Sequence, residues 1–129
     1  MQRGKVSAER PWGAPVGYSR AVRAANLIEV AGTSATSADG KVAHPDDAYL
    51  QTKEILETIV AAVEELGGKR SDVVRTRVFL TSVDDWPGVA KAHAEFFADV
   101  LPASTIVGVK ELLLPQLRVE IEATAWVDG

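Results

Sequence analysis

The run from Leu117 to Val127 constrains the fold of this chain more than any other segment. Leu117, Val119, Ile121, Ala123, Ala125 and Val127 alternate without a fault with Arg118, Glu120, Glu122, Thr124 and Trp126. A period of two sends successive side chains to opposite faces of a sheet, so this run is a strand with one apolar and one polar face. Its register is tightly specified, because a slip of one residue would exchange the two faces. The apolar face needs a cover, and the rest of the chain has to supply it.

Two amphipathic helices answer that need. From Asp46 onward, Ile55, Leu56, Ile59, Val60, Val63 and Leu66 recur at spacings of three and four, the stripe of a helix packed on one side. Asp46 and Asp47 suit its positive N-terminal end, and Gly67-Gly68 its C-terminal end. A second helix over about Asp85 to Val100 aligns Trp86, Val89, Ala90, His93, Phe96, Phe97 and Val100, and Pro102 stops it. Between the helices, Val74 to Thr81 alternates, with Val74, Thr76, Val78 and Leu80 against Arg75, Arg77 and Phe79. Thr105 to Val109 is β-like, and Tyr18 to Val22 and Leu27 to Val30 form two short strands around a turn at Ala24-Ala25-Asn26. Gly32 closes that pair, and Thr33 to Pro45 reads as a loop with a tight turn at Asp39-Gly40. Residues 1 to 17 hold three of the ten glycines and two of the six prolines without periodicity, so they are expected to be a loosely held arm. The order ββαβαββ predicts an α+β sandwich, a single domain over residues 18 to 129 with both helices on the apolar face of one sheet.

Composition removes whole classes of function. The chain has 129 residues, 47% of them hydrophobic and 25% charged, which is ordinary for a globular domain able to bury about two thirds of its unfolded surface. No stretch approaches the roughly 18 apolar residues of a membrane span. The start, Met1 to Ser7, runs into Glu9, Arg10 and Pro11 without an apolar segment, so a secretory signal is not expected and a cytoplasmic location is. The absence of cysteine excludes thiolate nucleophiles, Fe–S clusters and disulfides together. A net charge of −4 lacks the electrostatic footprint of a nucleic-acid binder.

Several short patterns carry no chemistry. Gly67-Gly68-Lys69-Arg70-Ser71 follows a helix and lacks the upstream glycine of a phosphate loop, and no nucleophile elbow or dinucleotide fingerprint occurs. The two histidines, His44 and His93, form no metal-binding pair, so no metal or cofactor is expected. His93 lies in the apolar stripe of the second helix, where it is either a packed core histidine or a group with a tuned pKa. Glu120 and Glu122 share one strand face about 7 Å apart and are either an acid/base site or part of a surface ion network with Arg118. The face bearing Arg75, Arg77, Arg118, Glu120 and Glu122 also carries Phe79 and Trp126. Such a face is either solvated or a subunit interface; its Trp and Phe favour the interface, on which ground a homo-oligomer is expected.

Taken together, the sequence resembles the reactive intermediate deaminase family (Rid/YjgF, formerly endoribonuclease L-PSP). The resemblance runs from Gly17 to Val127 and rests on Gly17-Tyr18-Ser19-Arg20-Ala21-Val22, Asn26 to Thr33, Gln51-Thr52, Asp72 to Thr81, Phe96-Phe97, Pro102-Ala103-Ser104-Thr105 and Val119 to Ala123. It implies a chorismate-mutase-like subunit with one mixed sheet, a homotrimer, and small-molecule clefts between subunits. It also implies hydrolytic deamination of enamines or imines, with Glu120 activating water and Tyr18 in the cleft. Ala31, Ala90 and Ser104 stand where imine-deaminating members have a serine, an asparagine and a carboxylate-gripping arginine. Gly32 and Thr33 follow the cleft position of Ala31; Arg20, Lys110 or Arg75 of a neighbouring subunit are candidate replacement cations, and His93, one helical turn after Ala90, a candidate acid. A substrate without a carboxylate, or a ligand held without turnover, are the other readings of that pattern; ribonuclease activity rests on the older family name.

Overall fold

A computed structural model describes residues 3–128. A six-stranded mixed sheet runs in the spatial order β1-β2-β3-β6-β4-β5, formed by β1 (Arg3–Ser7), β2 (Ser19–Ala24), β3 (Leu27–Ser34), β4 (Val73–Leu80), β5 (Ala103–Gly108) and β6 (Val119–Trp126). Only β4 and β5 are parallel; every other neighbouring pair is antiparallel. Between strands lie a one-turn helix α1 (Gly13–Val16) and the long helices α2 (Ala48–Glu65) and α3 (Trp86–Phe97). The alternating C-terminal run is a central strand of the sheet, as its pattern requires.

The apolar face of that strand is the floor of the core. Val119, Ile121, Ala123 and Ala125 are at most 1% exposed and pack with Ile55, Leu56, Ile59 and Val63 of α2 and Val89 and Phe97 of α3. The expected helical stripes thus cover the sheet's apolar face. Asp47 caps α2 by accepting from the Leu50 amide at 2.9 Å, satisfying one of the donors left free in a first helical turn. The fully buried Gln51 ties the chain just before β6 to α2: its Nε2 donates to the carbonyls of His44 and Gln116, and its Oε1 accepts from the Arg118 amide.

Four expectations are corrected. Of the expected loose arm over residues 1 to 17, residues 3 to 17 are ordered: Arg3–Ser7 pairs with β2 as an edge strand, and α1 follows, while residues 1 and 2 lie outside the described residues. A five-residue edge strand with a register shift at Val6/Ser7 is too short and irregular to show a period. Val74 is 48% exposed instead of inward, because β4 pairs Val73 with Ala125 but Arg75 with Thr124. The extra residue is a bulge, and it sends Val73 into the core in place of Val74. Trp86, at the first position of α3, is 51% exposed, and burial along that helix begins at Val89. Arg118 leaves the polar sheet face to pair with Asp85 at 2.8 Å and to approach Asp46 at 4.0 Å, near the N-terminal ends of the two long helices.

The face away from the helices carries cross-strand polar pairs. Arg77 lies opposite Glu122 in register, 3.8 Å away; Arg75 donates to Thr105; Thr124 donates to Glu29. Trp126 and Val107 stand exposed on strands beside them.

Candidate functional site

The site is built where β3 breaks step with β6. Their pairing shifts between Val30 and Thr33, so Ala31 and Gly32 have no partner in the ladder. Glu120, on the face of β6 away from the core, turns its carboxylate onto Gly32. A side chain there would place its Cβ 2.6 Å from Glu120 Oε2 and 3.2 Å from Cδ, so only glycine leaves the carboxylate its position. Burial and the neighbouring Glu122 charge push the Glu120 pKa above the ordinary carboxylate value, and Arg20 opposes them. A carboxyl held up in this way is a stronger proton acceptor once ionised.

Arg20 of β2 is 6% exposed. Its Nη1 donates to the Gly32 carbonyl and to Thr33 Oγ1, both at 3.2 Å, and its Nη2 to the Ala8 carbonyl at 3.5 Å. Desolvation pulls the Arg20 pKa down from its usual high value. Thr33 is itself buried and donates to the Ala31 carbonyl, so it braces the bulge from beneath. The guanidinium also lies 5.9 Å from the centroid of the Tyr18 ring, within cation–π range.

The N-terminal segment closes this end of the sheet. Gly17 ends α1 at φ +79°, with its amide donating to the Gly13 carbonyl at 2.8 Å, a left-handed turn that glycine makes without strain. That turn delivers Tyr18 beside Trp12, whose Nε1 donates to the Tyr18 hydroxyl at 2.8 Å. The result is a cavity of about 290 Å³ with Tyr18, Arg20, Glu120 and Glu122 on its polar side and Trp12, Val16, Leu113 and Leu114 on its apolar side. It can hold a small molecule with an electrophilic carbon against a basic carboxylate.

Of the residues expected to act together, Tyr18, Arg20, Ala31, Gly32 and Glu120 line this one cavity, with Thr33 behind them. His93, Ala90 and Ser104 do not: the structure places them with the helix-covered face of the sheet. His93 Nε2 lies 2.9 Å from the hydroxyl of the fully buried Thr76, which also donates to Ser104 Oγ at 2.8 Å. The His93 ring packs on Phe97 at 5.1 Å, and burial lowers its pKa, so it is neutral at pH 7. Within one chain, His93 is therefore a packed, hydrogen-bonded histidine and not a neighbour of Glu120. Sequence reasoning missed Trp12, Leu113 and Leu114. An indole between Pro11 and Gly13 was the one available signal in the arm, and Leu112-Leu113-Leu114 shows no period at all.

A two-layer α+β domain with a six-stranded mixed sheet and a carboxylate-bearing cavity on its uncovered face has the YjgF/UK114 fold. Comparison with known proteins makes this specific: the chain belongs to the endoribonuclease L-PSP family, whose model matches residues 9–127. It is 34% identical over 110 residues to the 3-aminoacrylate deaminase RutC of Acinetobacter baylyi, spanning 85% of this chain and 86% of RutC. A Streptomyces coelicolor protein, SCO2049, is 35% identical over 122 residues, 95% of this chain and 90% of that one. Among solved structures, Rv2704 of Mycobacterium tuberculosis, described as a YjgF/YER057c/UK114 family member, superposes with a TM-score of 0.88 at 39% identity, covering 98% of this chain and all of that one. No helix among the described residues is long and apolar enough to cross a membrane.

Proposed function

We propose that this protein is a hydrolytic deaminase of reactive enamines and imines, acting as a cytoplasmic homotrimer whose specificity differs from that of family members with the cleft arginine. The observation that carries the reading is Glu120: a partly buried carboxylate, raised in pKa, seated on a glycine and facing a cavity of small-molecule size. The identity to RutC, a deaminase by name, supports the same chemistry.

In this reaction a water oxygen attacks the imine carbon while Glu120 accepts a proton from that water, and the C=N π pair moves to nitrogen. Glu120 then returns the proton to the nitrogen of the carbinolamine. Glu120 next takes the proton of the carbinolamine hydroxyl and passes it to the nitrogen as the O–H pair closes the C=O bond and the C–N pair leaves with nitrogen, so ammonia departs and a carbonyl compound remains. An enamine enters the same route by gaining a proton at carbon and losing one from nitrogen, which converts it to the imine. Tyr18, fixed by Trp12, and Arg20 shape the approach to the reacting carbon. The uncovered sheet face, with Trp126 exposed on it, supports assembly through that face.

The test is hydrolysis of imines generated in situ by an amino-acid oxidase or an amine oxidase, followed by ammonia release. Wild type should accelerate hydrolysis of at least one imine, and Glu120→Gln should lose that activity by about 10²- to 10⁴-fold while keeping its fold and assembly. Equal rates in wild type and Glu120→Gln would refute the assignment. Ser104→Arg, which restores the residue that the family resemblance places in the cleft, should raise activity toward carboxylate-bearing imines.

A further inference from the structure

We propose that the substrate of this site is an imine or enamine of an apolar amine, carrying a ring or branched chain and no carboxylate. This rests on the deaminase reading above and goes further by naming the substrate class. It departs from the acid named for RutC, and three observations on this chain's own cavity carry it.

The first is charge. The cavity holds two carboxylates, Glu120 and Glu122, and one guanidinium, Arg20. That guanidinium is already engaged: Nη1 serves Gly32 and Thr33, Nη2 serves Ala8, and its face meets Tyr18. It therefore offers no free fork for the bidentate grip by which arginine recognises a carboxylate. On this chain's side of the site a substrate carboxylate would meet Glu120 and Glu122 with no free guanidinium beside them, whereas an amine-derived nitrogen, protonated in its iminium form, is attracted by the same pair.

The second is the wall opposite. Trp12, Val16, Leu113 and Leu114 make an apolar side, and Val16 and Leu113 are 68% and 94% exposed. The polar edge of the indole is spent on Tyr18, so its apolar body is what remains for a ligand. The third is size. About 290 Å³ is at the small end of the roughly 300–1,000 Å³ range of ligand pockets, room for one ring or a branched chain.

The experiment pairs two probes of one shape, with and without a carboxylate. Benzylamine and phenylglycine are titrated into the intact protein by calorimetry, and the imines that an amine oxidase and an amino-acid oxidase make from them are offered as substrates. Expected are tighter binding of benzylamine than phenylglycine by about tenfold or more, the same order of preference in kcat/KM, and about tenfold weaker benzylamine binding in Leu113→Ser, a change at an exposed position that leaves the fold intact. Turnover of both imines with the carboxylate-bearing one preferred would overturn this proposal and leave deamination standing. Preferential benzylamine binding, weakened in Leu113→Ser, with neither imine turned over would uphold the cavity's preference while refuting the deaminase reading. Failure of both binding and turnover would refute both.

Discussion

Replacing Gly32 by alanine separates the position of the Glu120 carboxylate from its presence. Gly32 does not occupy a left-handed conformation, so alanine is compatible with its backbone and even reduces the freedom of the unfolded chain, worth about 0.4–1 kcal/mol. The new methyl, however, would stand 2.6 Å from Glu120 Oε2, where non-bonded contact with carbon needs about 3.5 Å. The carboxylate must swing away by about 0.9 Å, which a terminal rotation of glutamate accomplishes at little cost to folding. A reacting group misplaced by about 1 Å loses on the order of 10² in rate, equivalent to about 2.7 kcal/mol of barrier. Gly32→Ala should therefore lower kcat/KM for imine hydrolysis about a hundredfold while the thermal midpoint stays within a few degrees of wild type. Combined with Glu120→Gln it should add little further loss, because both changes remove one interaction. A Gly32→Ala protein with at least half of wild-type activity, or a double variant whose losses multiply, would show that Glu120 at this position does not do the chemistry.

Three further outcomes follow from the same contacts. The raised pKa of Glu120 means its folded, protonated form adds stability at low pH that disappears as pH rises through the folded value; Glu120→Gln should thus melt higher than wild type at pH 8 and no higher at pH 3, as scanning calorimetry at the two pH values would show. Gly68→Ala would set a methyl 2.8 Å from Val63 Cγ1, 3.1 Å from Val127 Cγ2 and 3.3 Å from Ile28 Cδ1, core atoms with little room to yield, so urea unfolding should show a loss of about 1–3 kcal/mol. Gln51→Leu strips partners from the His44 and Gln116 carbonyls and the Arg118 amide; it should cost at least about 2 kcal/mol and also reduce activity, since it frees the segment leading into Glu120.

What the sequence disclosed depended on the length of each period. Leu117 to Val127 and the stripe through Ile55, Ile59 and Val63 persist over many residues, and both settled into the core as their spacing requires. Val74 escaped because a bulge changes the count by one without leaving a mark in composition. Arg3–Ser7 escaped because five residues at a sheet edge carry no face pattern. The cavity was half legible: the motif around Tyr18 and the last strand brought Glu120 and Arg20 to notice, but Trp12 and Leu113 meet them only through the path of the chain. His93 was legible in the first of its two readings, the packed histidine, since a helical stripe records which side of a helix is buried.

The N-terminal segment, least readable of all, joins the fold to the proposed chemistry. Ala8 accepts from Arg20, Arg20 holds the Gly32 carbonyl, and Gly32 seats the Glu120 carboxylate, so β1 and α1 set the geometry of a group on the far side of β2 and β3. Trp12 extends the same coupling to Tyr18. The links through Arg20 and Trp12 are hydrogen bonds to groups that are buried or nearly so, where a lost partner costs more than in water, and the link from Gly32 to Glu120 is a close steric fit. Trp12→Ala should therefore enlarge the cavity and loosen Tyr18 together, raising KM for apolar imines more than it lowers kcat, whereas Arg20→Ala, which releases Gly32 and with it the carboxylate, should lower kcat. If Trp12→Ala instead lowered kcat alone, with KM unchanged, the indole would be a brace for the reacting group and not a wall for the substrate.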